Sequence, residues 1–141
     1  MLVQQISVYL ENRPGRLATF TQTLLESGVD MKAICIADTV DFGILRCIVD
    51  DEEKAVAALK EKGFAASITE VIALKISDSP GGLDSALDLL NEANVSVEYI
   101  YSFMKAINGS AVIIFRVDDA EKAVKVLTES GVEMLSKEDL V

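Results

Sequence analysis

Two turns built on a proline and a glycine hold the residue types most capable of binding chemistry. "ENRPGRL" at residues 11–17 and "SDSPGGL" at residues 77–83 each lead from an apolar run into a segment with helical spacing. Proline fixes φ near its helical value and needs no donor, so it suits a helix start, while glycine lets the backbone come close to another group. The main-chain amides of Gly15, Arg16 and Leu17 would then point outward at the positive end of a helix, where an anion such as a carboxylate is stabilised. Asn12, just before the turn, has one acceptor and two donors and can either cap the helix or hold a ligand. A well-made cap with no ligand explains the same residues, and duplication would copy a cap as readily as a site.

Other chemistry finds less support. The chain has no histidine, so neither serine nor cysteine has its usual base. Asp50-Asp51 and Asp118-Asp119 fall at predicted helix starts, where capping and dipole compensation account for acids. Cys35 and Cys47 supply neither a disulfide framework nor a zinc site. They fall nearly opposite each other across a predicted hairpin and read as buried, reduced thiols. We expect no enzyme, no metal and no cofactor. The formal charge of −10, from 23 acids and 13 bases without long runs of either sign, argues against nucleic acid as a partner. The longest apolar runs are far too short to span a bilayer, and no basic start with an apolar signal segment opens the chain, so the expected location is the cytoplasm.

The elements that must position the turns are repeated. Shifted by 66, Pro14, Gly15, Leu17, Leu24, Glu26, Val29 and Ile34 fall on Pro80, Gly81, Leu83, Leu90, Glu92, Val95 and Ile100. Shifted by 68, residues 49–63 match residues 117–131 at ten of fifteen positions. The change of offset fits a longer hairpin turn near Lys105 to Gly109. Each copy reads as strand, helix, strand, strand, helix, strand from its alternating and helical periods and its glycine stops. That order is the split βαβ arrangement, an antiparallel four-stranded sheet with two helices on one face. The predicted fold class is therefore α+β, with one unit over residues 1–69 and a second over 70–141. Arg13 and Arg16 have no counterparts in the second copy, where Ser79 and Gly82 stand, and read as solvated. Tyr99, Tyr101 and Phe103 alternate on one strand face and read as packing.

The "ENRPGRL" turn followed by "ESGVDM" resembles the ACT domain, in particular the C-terminal regulatory domain of D-3-phosphoglycerate dehydrogenase. The resemblance covers nearly the whole chain and implies two ferredoxin-like units with their sheets side by side. It also implies a small ligand, most often an amino acid, in the crevice where two such domains meet. Carried over position by position, it points to Asn12, Gly15, Leu17 and Asp30 in the first copy and to Asp78, Gly81, Leu83 and Ser96 in the second. The expected site also takes in the remaining turn residues Pro14, Arg16, Pro80 and Gly82. Asp30 and Asp78 are acids, so they would face the ligand's ammonium while its carboxylate meets the helix amides. The resemblance thus implies a stand-alone regulatory protein that binds an amino acid or similar small molecule, acts on a partner enzyme in trans, and can form a homodimer. The alternative is an interaction or assembly module with no ligand of its own.

Overall fold

The structure is a computed structural model and describes residues 1–38 and 41–141. The chain divides into two compact units, Gln4–Thr69 with Val141, and Glu70–Leu140 with Met1–Val3. The first unit contains β1 (Val3–Glu11), α1 (Arg16–Glu26), β2 (Met31–Asp38), β3 (Phe42–Val49), α2 (Glu52–Glu61) and the start of β4 (Ala65–Ile76). Its strands are ordered β4-β1-β3-β2, with β3 antiparallel to both neighbours. The second unit takes the rest of β4, then α3 (Gly82–Glu92), β5 (Val97–Ser102), β6 (Ala111–Val117), α4 (Ala120–Glu129), β7 (Met134–Leu135) and a short α5 (Lys137–Leu140). Its order is β7-β4-β6-β5, and all three pairings are antiparallel. The fold is the duplicated βαββαβ arrangement that the periodicity predicts.

Alternation places one face of each sheet under its helices. In the first unit Ile6, Val8, Leu45, Cys47 and Val49 pack with Phe20, Leu24, Ala55 and Leu59. In the second, Ile72, Leu74, Phe115 and Val117 pack with Ala86, Leu90, Ala123 and Leu127. Leu24 and Leu90, Ala55 and Ala123, and Leu59 and Leu127 are repeat partners, so the duplication preserves the core positions themselves. The helix ends repeat too, since Gly28 has φ 71° and Asn94, its partner, φ 58°. Asn reaches this left-handed geometry more readily than other side chains, which is why it stands in for glycine there. In the β5–β6 hairpin, Asn108 and Gly109 take φ of 51° and 74°, and Ile107 and Ser110 exchange main-chain hydrogen bonds across them.

The paired acids divide their work. Asp51 caps α2 by accepting from the Lys54 amide at 3.0 Å, and Asp119 caps α4 by accepting from Lys122 at 3.1 Å. The preceding acids do something else. Asp50 Oδ1 accepts from the Asp30 amide at 2.9 Å while the Asp50 amide donates to Asp30 O at 3.1 Å. Asp118 and Ser96 make the same reciprocal pair at 2.9 and 3.0 Å. Each box ties the start of the second helix to the start of a strand.

The structure corrects the cysteine geometry. Cys47 pairs with Ile34, whereas Cys35 pairs with Arg46, so the two thiols lie on opposite faces of the sheet. A redox pair is excluded. Burial pushes the Cys47 thiol up from 9.0 to about 12.

Candidate functional site

Both proline–glycine turns adopt one geometry. Gly15 and Gly81 are the N-caps of α1 and α3, with φ of 87° and 90°, and neither helix has a side-chain cap hydrogen bond. Asn12 is therefore not the cap of α1. Thr19 N and Oγ1 both bond Gly15 O at 2.9 Å, and Ser85 N and Oγ repeat this on Gly81 O at 3.0 and 2.9 Å. These are the first intrahelical bonds, so the Leu17 and Ala18 amides lie ahead of the α1 ladder, as first-turn amides do. The Arg16 amide turns back to Arg13 O at 3.4 Å, and that of Gly82 to Ser79 O at 3.1 Å.

The surroundings of the two turns differ. A cavity of about 160 Å³ opens at the first, lined by Leu10, Glu11, Asn12, Arg13, Leu17, Ile36 and Gly43. Two residues named from the sequence, Asn12 and Leu17, are thereby brought together. Pro14 and Gly15 are exposed and shape the turn without lining the cavity. The first turn of α1 holds no acid, while that of α3 contains Asp84, so an anion is better favoured at α1. At the second turn Asp78, Pro80 and Gly81 are exposed, and Leu83 packs against the core instead of standing open like Leu17. A Cβ on Gly82 would lie 2.2 Å from Ser77 O, so no side chain fits at the position that carries Arg16 in the first copy.

Arg16 is not the solvated side chain that the sequence suggests. Its Cζ lies 4.2 Å from the centre of the Phe64 ring, and its side chain is only 19% exposed. The aromatic face attracts the cation, and the aliphatic stem covers apolar surface. Glu11 lies between the two arginines, 3.0 Å from Arg13 Nε and 3.8 Å from Arg16 Nε. Arg13, 61% exposed, is the outer member of this group. Sequence reasoning missed Glu11, whose side chain shares a sheet face with its neighbour in register, Phe42.

At the strand starts, Asp30 Oδ2 accepts from Lys32 Nζ at 2.6 Å, so a ligand ammonium there would compete with a resident one. Ser96 lines a separate, larger cavity in the second unit, with Asn91, Asn94 and Asp118. Among the described residues no group of three or more His, Cys, Asp or Glu could hold a metal ion, and no helix is long and apolar enough to cross a membrane.

The family described as an ACT domain pair matches residues 1–141. The chain belongs to that family. A solved protein of Bacteroides thetaiotaomicron, BT0572, is 40% identical, with a TM-score of 0.92 over 99% of this chain and 96% of its own. The regulatory subunit of aspartate kinase from Thermus thermophilus is 17% identical, with a TM-score of 0.64 over 89% of this chain and 90% of its own. Its counterpart from Thermus flavus is 16% identical, with a TM-score of 0.61 over 91% and 92%. The two kinase subunits are similar in fold. No curated protein matches the chain. ACT domain pairs are a family of regulatory domains, and the tandem units of this ACT domain pair are that family's fold.

Proposed function

We propose that this ACT domain pair senses an amino acid at the first proline–glycine turn and regulates an enzyme of amino-acid metabolism in trans. It is itself without catalytic activity. The cavity beside Asn12 and Leu17 carries the reading. At about 160 Å³ it has room for roughly five water-sized groups, far less than the roughly 300 to 1,000 Å³ of drug-sized ligand sites. Its ligand is correspondingly small.

The electrostatics support a zwitterion. The positive end of α1 favours a carboxylate, the exposed Arg13 adds a cation through the donors it does not spend on Glu11, and Asn12 can both donate and accept. Glu11, paired with Arg13 and close to Arg16, is the acid for which a ligand ammonium would compete with those side chains. Within this reading, occupancy controls a partner enzyme only if the ligand binds two arrangements of the assembly with different affinity. Calorimetric titration with the twenty amino acids is the test. Saturable heat from at least one supports the proposal, and no heat from any makes the chain an interaction module instead.

A further inference from the structure

We infer that Arg16 is a positioning residue of the first proline–glycine turn: it clamps the start of α1 to the end of α2 through Phe64, and so holds the amides of the turn toward the cavity. Its role rests on the proposed reading of that cavity as the ligand site. Leu17 lines the cavity and Arg16 does not, so the Arg16 side chain acts through the turn and not on a ligand. The clamp has three members. Arg16 Cζ lies 4.2 Å from the centre of the Phe64 ring, and Phe20, one helical turn further along α1, meets the same ring edge-on at 6.1 Å and 84°. Side chains four apart on a helix share a face, so one ring grips two successive turns of α1. The backbone of Phe64 is itself fixed, because its amide donates to Leu59 O at 2.9 Å and the preceding Gly63 amide to Lys60 O at 3.0 Å.

The first turn needs such a hold. Its closing bond, from the Arg16 amide to Arg13 O, is 3.4 Å long, beyond the range of about 2.7 to 3.2 Å usual for such bonds. Among the described residues α1 has no side-chain cap hydrogen bond, and Arg16 Nε, though buried, has no hydrogen-bond partner. The ring face therefore supplies attraction that hydrogen bonds do not. The second unit replaces the whole clamp. Arg16 and Phe20 become Gly82 and Ala86 at an offset of 66, and Phe64 becomes Val132 at an offset of 68. The second turn reaches nearly the same φ, 90° against 87°, by another lock. Gly82 approaches Ser77 O so closely that a Cβ would lie 2.2 Å away, and the closing bond to Ser79 O is shorter, at 3.1 Å. Joint absence of three residues drawn from separate elements, with a substitute lock in their place, marks Arg16, Phe20 and Phe64 as one device.

The test is 15N relaxation of the full chain without any ligand, comparing wild type with Arg16→Met, Phe64→Leu and the double variant. Order parameters of the Gly15, Leu17 and Ala18 amides should fall from about 0.85 to below about 0.6 in either single variant, with the Gly81 and Leu83 amides unchanged. The double variant should be no looser than the worse single one, because either change alone opens the clamp. Arg16→Met keeps an apolar stem over the ring and leaves Phe20 in place, so it remains informative even if Phe64→Leu does not fold. Unchanged order parameters in Arg16→Met would overturn the inference, as would losses that simply add in the double variant. Calorimetric titration of the twenty amino acids gives the second readout. Those that bind wild type should bind Arg16→Met and Phe64→Leu, the latter with every charge in place, roughly 2- to 30-fold more weakly, the factor matching the usual strength of a cation–π contact. Wild-type affinity in both variants would overturn the inference too. No heat with wild type would overturn only the reading of the cavity, and the order parameters would then decide the clamp alone.

Discussion

Gly82→Ala should damage the second unit well beyond what a surface glycine would suggest. The added Cβ would lie 2.2 Å from the Ser77 carbonyl oxygen and 3.2 Å from its carbon. Ordinary contact begins at 3.4 Å, so main-chain atoms of the turn must separate by about 1 Å, and no flexible side-chain tip can yield instead. Forced overpacking of this kind costs roughly 1 to 3 kcal/mol. Lower entropy of the unfolded chain returns at most about 0.4 to 1 kcal/mol. A main-chain contact this short falls in the upper half of that cost, about 2 to 3 kcal/mol, so the net loss is about 1 to 2.6 kcal/mol, a fall in melting temperature of roughly 4 to 21 °C for a cooperative unit of 60–100 residues. Gly15→Ala is the control. Its Cβ meets nothing within 4 Å, leaving only the penalty for a left-handed non-glycine residue, about 1 to 2 kcal/mol, with the same entropic return. Urea unfolding followed by circular dichroism should therefore rank Gly82→Ala as the more damaging. Stability of Gly82→Ala within about 0.3 kcal/mol of wild type would refute the close approach of Ser77.

Asp119→Ala should cost about 0.5 to 2 kcal/mol by removing the α4 cap, and Asp51→Ala should do the same at α2; equilibrium unfolding with no change in either would remove the capping role. Cys47 should resist Ellman's reagent at pH 8 in the native protein, so that at most one thiol, Cys35, reacts until denaturant is added; equal labelling of both would contradict its burial. Because the folded value of Cys47 is raised, the neutral thiol contributes stability that is fully present below pH 9.0 and lost as pH rises through about 12. Alkaline unfolding should thus be displaced upward in pH in Cys47→Ala relative to its own neutral-pH stability. Asp30→Asn should change stability by less than about 1 kcal/mol, since the Lys32 pair is surface-exposed, with Asp30 at 67%; thermal melts showing a larger loss would assign the carboxylate a structural role.

Sequence reasoning went furthest where one residue type answers one local demand. Proline and glycine at positions 14–15 and 80–81 declared the two helix starts, and Asn94 was readable as a stand-in for glycine because its left-handed geometry is a local property. Arg16 was illegible because its partner, Phe64, is brought over it only by packing of the finished unit. The cysteines misled because facing positions depend on register, and the β2–β3 pairing contains an irregularity between Met31 and Ala33 that no composition signal marks. Asp50 and Asp118 looked like further dipole-compensating acids, since nothing local shows that they reach back to a strand start 20 or 22 residues earlier. The α5 turn escaped notice because it is four residues long. It is held by Ser136, whose amide and hydroxyl both donate to Asp139 Oδ2 at 2.8 Å, and these bonds lower the Asp139 carboxyl.

In the proposed function, the amides and side chains of the first proline–glycine turn hold an amino-acid ligand. The most direct measurement is calorimetric titration of the twenty amino acids into wild type, Gly15→Val and Gly81→Val. A valine at φ 87° is conformationally strained, so it distorts the turn that carries the Leu17 and Ala18 amides. Saturable heat from at least one amino acid is expected with wild type and Gly81→Val and should be lost in a folded Gly15→Val. Absence of heat from all twenty, or an unchanged isotherm in Gly15→Val, would contradict it.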